Sequence, residues 1–203
     1  MGRPETDYLR RLAISQLGNG LSEADHHEDA LSVREAELSM ERRIGAPERD
    51  ILGAQSNLAN TYNQLGRFEE ALRVRRDVYS GSLRLTSLDA RQCTLVAALN
   101  LSTSLVNNRK FAEARAFMPD QLALAKRVFG SDHPTTLDFQ WGYARVFILD
   151  NDATAEEIAE AAAILEKTLK IAQRVLGREH PSTGYYRHAL EIAREQIALR
   201  QGA

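Results

Sequence analysis

The feature that most constrains this chain of 203 residues is that it repeats itself. The segment LANTYNQLGRFEEAL (58–72) has weaker echoes on both sides, each with an alanine at the same place: Ala30, Ala71, Ala114 and Ala161, spaced 41, 43 and 47 residues apart. A second phrase recurs at the last of these steps, FGSDHPTT around His133 and LGREHPST around His180. Periods of this length, built from paired amphipathic helices, lead to stacked hairpins in a solenoid rather than to one closed core. Stacked arrays of that kind present surfaces and seldom carry chemistry.

Apolar residues at helical spacing predict nine helices, over 5–24, 27–43, 48–65, 68–86, 89–107, 110–129, 134–150, 155–176 and 181–199. Pro134 and Pro181 suit a first helical turn, which places His133 and His180 at the N-caps, and Gly130 and Gly177 suit the preceding helix ends. Thr154 followed by Glu157 reads as a capping box. About five extra residues around Asn151-Asp152-Ala153 account for the longest period as a loop insertion. The expected architecture is all-α, an α–α superhelix forming a right-handed solenoid of about nine helices in one domain (1–203). Its repeats fall near 5–47, 48–88, 89–132 and 133–179, and a capping helix occupies 180–200.

Composition narrows the function. With 43% hydrophobic and 27% charged residues the chain has the makings of a folded, soluble protein. Its 26 basic and 28 acidic residues interleave without a basic stripe able to track phosphates, so nucleic acid is not the expected partner. No apolar run approaches the roughly 20 residues needed to span a bilayer, so a membrane partner is not expected either. The single cysteine, Cys93, rules out an internal disulfide and fits a reducing, cytoplasmic setting, with Cys93 as a small buried residue early in a helix.

Each first helix carries a pattern of bulky, two residues, bulky, small, two residues, bulky. The four versions are Ile14/Leu17/Gly18/Leu21, Gln55/Leu58/Ala59/Tyr62, Ala98/Leu101/Ser102/Leu105 and Trp141/Ala144/Arg145/Ile148. Second helices open with an aromatic and then the small residue, Phe68 with Ala71 and Phe111 with Ala114. This resembles the tetratricopeptide consensus. The long period and the G-x-x-H-P junctions resemble the arrays of kinesin light chains and their relatives. Small residues let antiparallel helices approach closely, and the bulky ones fill the space against the next hairpin. The departures are His27 in place of the aromatic, Arg145 at a small position, and Pro119 inside the sixth helix, where a kink is expected.

The resemblance implies that first helices line a concave face. Its inner stripe reads Ser15, Gln16, Asn19; Ser56, Asn57, Asn60, Asn63; Asn100, Thr103, Asn107; and Phe139, Tyr143, almost without charge. Side-chain amides match the alternating N–H and C=O of an extended peptide. Related arrays use asparagines to grip a peptide main chain, and the resemblance implies that role for Asn57, Asn60 and Asn100. The full expected peptide groove is Asn19, Asn57, Asn60, Asn100, Phe139 and Tyr143. Lacking inward cations, it suits an internal segment better than a C-terminal carboxylate.

No catalytic constellation emerges. His26 and His27 point to different helix faces, His133 and His180 lie a repeat apart, and neighbouring pairs such as Glu69-Glu70 sit on solvated faces. Phosphate loops and nucleophile elbows are absent from the sequence. The expectation is a non-enzymatic, cofactor-free and metal-free module for a protein or peptide partner. The alternative is a structural array that self-associates through its ends, the first helix beginning without a polar cap. The last helix is expected to cover the core with Tyr185, Tyr186, Leu190 and Ile197.

Overall fold

The computed structural model describes residues 4–86 and 89–201. It contains α1 (Pro4–Glu23), α2 (His27–Arg43), α3 (Glu48–Gln64), α4 (Phe68–Ser82), α5 (Ala90–Asn107), α6 (Phe111–Phe129), α7 (Pro134–Leu149), α8 (Ala155–Val175) and α9 (Pro181–Gln201). Every predicted helix is present. The largest shift is at α4, which ends at Ser82 rather than near 86. There the Ser82 hydroxyl donates to Tyr79 O at 2.7 Å, and the amides of Arg84 and Leu85 reach back only three residues. That unwinding ends the helix, and the Thr94 hydroxyl, 3.1 Å from Ser82 O, satisfies one of its last carbonyls.

Two compact units divide the chain, Met1–Ala97 and Ala98–Ala203. In the first, α1 packs on α2, α2 on α3 and α3 on α4. In the second, α6, α7, α8 and α9 pack in succession, and α9 also touches α7.

The four repeat alanines Ala30, Ala71, Ala114 and Ala161 are all essentially without exposed surface. A larger side chain there would push the paired helices apart, so the smallness read in the sequence is a packing requirement. The hairpin turns repeat as well. Asp25, Gly66 and Arg109 take a left-handed conformation, with φ of 60°, 72° and 55°. The next amides, on His26, Arg67 and Lys110, donate to Leu21 O, Tyr62 O and Leu105 O at 2.8–2.9 Å. These bonds close each first helix and open the second.

The duplicated junction is equally regular. Gly130 and Gly177 are left-handed, with φ of 92° and 97°. His133 Nδ1 accepts from Thr135 N, and His180 Nδ1 accepts from Ser182 N, both at 3.2 Å. The buried hydroxyls of Thr136 and Thr183 donate to Gly130 O and Gly177 O, both at 2.8 Å. Both histidines are therefore N-caps, as their place before proline predicts.

The inserted loop after α7 also closes on itself. Thr154 Oγ1 accepts from Glu157 N, Glu157 Oε2 accepts from Thr154 N, and Arg115 donates to both Asp150 and Glu157. The core of the second unit gathers Ile158, Leu165, Leu190 and Ala193, with Leu137, Ala172 and Tyr186 beside them.

Some expectations need correcting. Tyr185 is 61% exposed, although its ring stacks on Trp141 at 6.2 Å; Tyr186, Leu190 and Ile197 do face the core. Cys93 is only half-buried. Arg145 neither leaves for solvent nor opens its hairpin. Its guanidinium lies 4.7 Å over the Trp141 ring, and burial lowers its pKa. Pro119 lies inside α6 on its exposed side, and the helix runs on past it to Phe129.

Candidate functional site

Two clefts open on the face formed by α1 and α3 in the first unit, and Asn57 lines both. The larger, about 440 Å³, has Tyr8, Leu12 and Ala54 as apolar walls and Arg11, Glu41 and Asp50 as charged ones. The smaller, about 200 Å³, is lined by Asn19, Arg34, Asn57, Asn60, Thr61 and Gln64. The structure thus brings Asn19, Asn57 and Asn60 together, as the sequence predicts.

The same face holds charges that the inner-stripe reading omits, contributed by α1, α2 and α3. Arg11 donates to Glu41 at 2.7 Å and to Asp50 at 2.5 Å, bonds that raise its pKa still further. Arg34, 3% exposed, donates to Glu37 at 2.8 Å and to Ser15 O at 3.2 Å. Arg49 pairs with Asp89 at 2.6 Å. Each cation is matched by carboxylates, so the face carries charge without offering an open cationic socket. The expected lack of inward cations therefore does not hold, since Arg11, Arg34 and Arg49 are present and paired.

Two asparagines of the predicted groove are also bonded from beneath. Arg34 donates to Asn19 Oδ1 at 2.5 Å, and Arg75 donates to Asn60 Oδ1 at 2.9 Å. Arg75 is 5% exposed, and burial pushes its guanidinium down to about 10, still charged at neutral pH. The arginines stand four residues after Ala30 and Ala71, and each asparagine fifteen residues before its arginine. Reading that offset across repeats would have found both pairs. The third repeat carries Thr103 with Met118 at the same offset, and in the fourth Val146 and Leu165 hold the equivalent helix positions, nineteen residues apart across the inserted loop. Gly18 makes room for the first pair, because a Cβ there would meet the Arg34 guanidinium at 2.7 Å.

Other members of the stripe behave differently. The hydroxyls of Ser56 and Thr103 turn back to carbonyls of their own helices, Leu52 O at 2.8 Å and Leu99 O at 3.1 Å, so they are not poised to donate outward. In the second unit, Asn100 is half-buried. Tyr143 is half-buried too, edge-on to Phe147 at 5.2 Å. Phe139 is fully buried and has no surface to offer a ligand. It packs into the core, as does Leu137 on the same helix, which is also fully buried. Among the described residues no cluster of histidine, cysteine and acidic side chains could hold a metal, and no helix is long and apolar enough to cross a membrane.

Helical hairpins repeated at 41 to 47 residues, with invariantly small buried positions at their crossings, define an α-solenoid repeat protein. The sequence matches the tetratricopeptide repeat family over residues 51–81, 94–135 and 153–182, about half of the chain, and the protein belongs to that family. Its fold is similar to that of a Podosopora anserina protein described as a kinesin light chain of nearly identical TPR-like repeats, with a TM-score of 0.74 and 23% identity over 100% of this chain and 92% of that one. It is also similar to BtubC (BKLC) from P. vanneervenii, with a TM-score of 0.65 and 16% identity over 94% of this chain and 80% of that one. The apo quorum sensor NprR from B. thuringiensis matches with a TM-score of 0.61 and 20% identity over 90% of this chain and 46% of that one. No curated protein matches at the sequence level. The kinesin-light-chain type of repeat is therefore a likeness of fold, and tetratricopeptide repeats as a class are protein-interaction scaffolds.

Proposed function

We propose that the protein is a non-enzymatic, cytoplasmic interaction module whose first unit binds an extended peptide segment of a partner protein along the α1–α3 face. The observation that carries this reading is the convergence of Asn19, Asn57 and Asn60 on one small cleft. Main-chain bonds to the asparagines would hold the segment, and the apolar walls at Tyr8 and Leu12 would take a side chain. Asn100 and Tyr143 are candidates for a contact made by the second unit itself. Nonapeptides selected from a random display library against the full chain test the proposal. Each asparagine bond is worth about 0.5–1.5 kcal/mol, so Asn57→Ala/Asn60→Ala should weaken a selected peptide roughly tenfold while the variant keeps its helical signal. Equal binding to native and variant chains would place the site elsewhere.

A second reading, self-association through a solenoid end, is favoured by one observation. Leu17 is 54% exposed, whereas its repeat equivalents Leu58, Leu101 and Ala144 are 6%, 5% and 0% exposed. Tyr8, Leu9 and Leu12 on the same helix are exposed as well. Sedimentation that stays monomeric across a hundredfold concentration range would remove this reading.

A further inference from the structure

We infer that Arg34 and Arg75 are positioning residues that turn the amides of Asn19 and Asn60 so that the cleft presents hydrogen-bond donors to its ligand, and that it therefore selects segments offering main-chain carbonyls there. The inference rests on the proposed peptide site and adds a polarity to it.

A guanidinium can only donate, so whichever amide atom faces it must be the oxygen. At Asn19 the bond to Arg34 fixes this at 2.5 Å, and at Asn60 the bond to Arg75 fixes it at 2.9 Å. Both asparagines are exposed and line the cleft. With each Oδ1 held from beneath, the Nδ2 hydrogens are what remain to face a ligand. An unconstrained asparagine could flip to offer either atom, and these two have lost that choice.

The arginines are themselves fixed. Arg34 is anchored by Glu37 and by Ser15 O and lies across Gly18, whose missing Cβ leaves the space it fills. Its Nε faces that bare backbone and finds no partner. A buried donor left without an acceptor is costly, and its retention here accords with a guanidinium placed for its other bonds. The arrangement occurs twice, 41 residues apart, and ends there, because Met118 and Leu165 cannot donate. The first unit is thus polarised in a way that the later repeats are not.

The test separates polarity from packing. Asn60→Asp keeps the size of the side chain and its bond to Arg75 but turns an acceptor toward the cleft. The Asp variant should melt no lower than the native chain, and it should bind a library-selected nonapeptide at least about tenfold more weakly. Arg75→Met, which copies the third repeat, should cost the same peptide several-fold, and Arg75→Lys should recover most of that loss, since an ammonium also only donates. Binding by Asn60→Asp within twofold of native would overturn the inference. So would a lower melting temperature for Asn60→Asp, since its carbonyl oxygen would then not be facing Arg75. If no library member binds the native chain, the peptide reading falls, while the melting comparison still decides whether the amide is turned as inferred. Should Arg75→Met fail to fold, the Asp and Lys variants decide alone.

Discussion

Replacing Tyr186 by phenylalanine should destabilise the second unit by an amount that grows with pH. The Tyr186 hydroxyl donates to Asp138 Oδ1 at 2.6 Å, its ring is 1% exposed, and the phenol pKa is raised by burial and by this bond. Burial raises the Asp138 carboxyl above its ordinary 3.8, while the tyrosine bond, and to a smaller extent His180 and His133, pull it back. As pH climbs past about 4, the unfolded chain sheds this proton before the folded one does, so folding loses stability over that window. Removing the hydroxyl raises the folded carboxyl further and deepens the loss. A neutral bond is worth about 1 kcal/mol and one to a charged group about 1.5–3 kcal/mol, so the cost should be about 1 kcal/mol at pH 3 and about 2–3 kcal/mol at pH 7.

Near 200 residues each kcal/mol moves Tm by about 2–4 °C, which gives a fall of roughly 4–12 °C at pH 7. Fluorescence of Trp141, the only tryptophan, reads this locally because its ring lies 6.1 Å from that of Tyr186. Comparing native and variant at each pH removes the common histidine contribution. Asp138→Asn, which can still accept the bond, should abolish the difference between the two pH values. An equal Tm loss at pH 3 and pH 7 would refute the reasoning.

Two further outcomes follow from repeat geometry. Gly20→Ala should stabilise α1 by about 0.5–1 kcal/mol in a urea melt, since nothing lies within 4 Å of a Cβ there; Gly18→Ala should destabilise or at best do nothing, its Cβ landing on Arg34. Thr136→Val and Thr183→Val should each cost about 1–3 kcal/mol, nearly equally, because each leaves the same glycine carbonyl without its buried donor; unequal losses by thermal melting would show that the two junctions are alike in sequence only.

Helix positions were legible because capping and small-residue spacing are local codes. Pro134, Pro181, Gly130, Gly177 and the Thr154–Glu157 box all do what their types require. Burial was less legible wherever it depends on a neighbour. Leu17 carries the consensus residue yet is exposed, and Tyr185, though its ring stacks on Trp141, stays mostly exposed rather than turning inward. Phe139 has the type and spacing of a groove anchor, but α7 buries Thr136, Leu137, Phe139, Ala144, Val146 and Ile148, a side wider than a single stripe. The candidate site was half legible. Asn19, Asn57 and Asn60 do share a cleft, but the arginines beneath two of them sit on the opposite helix of each hairpin, where a scan of first helices alone does not look.

The junction G-x-x-H-P-x-T holds itself together through bonds confined to seven residues, from Gly130 to Thr136 and from Gly177 to Thr183. Its glycine ends one helix, its histidine starts the next, and its threonine ties the two events together. Such a segment carries its own instructions and asks little of its surroundings. Grafted between the helices of an unrelated hairpin array, it should set the same corner, which makes it a portable part for building repeat proteins of chosen period.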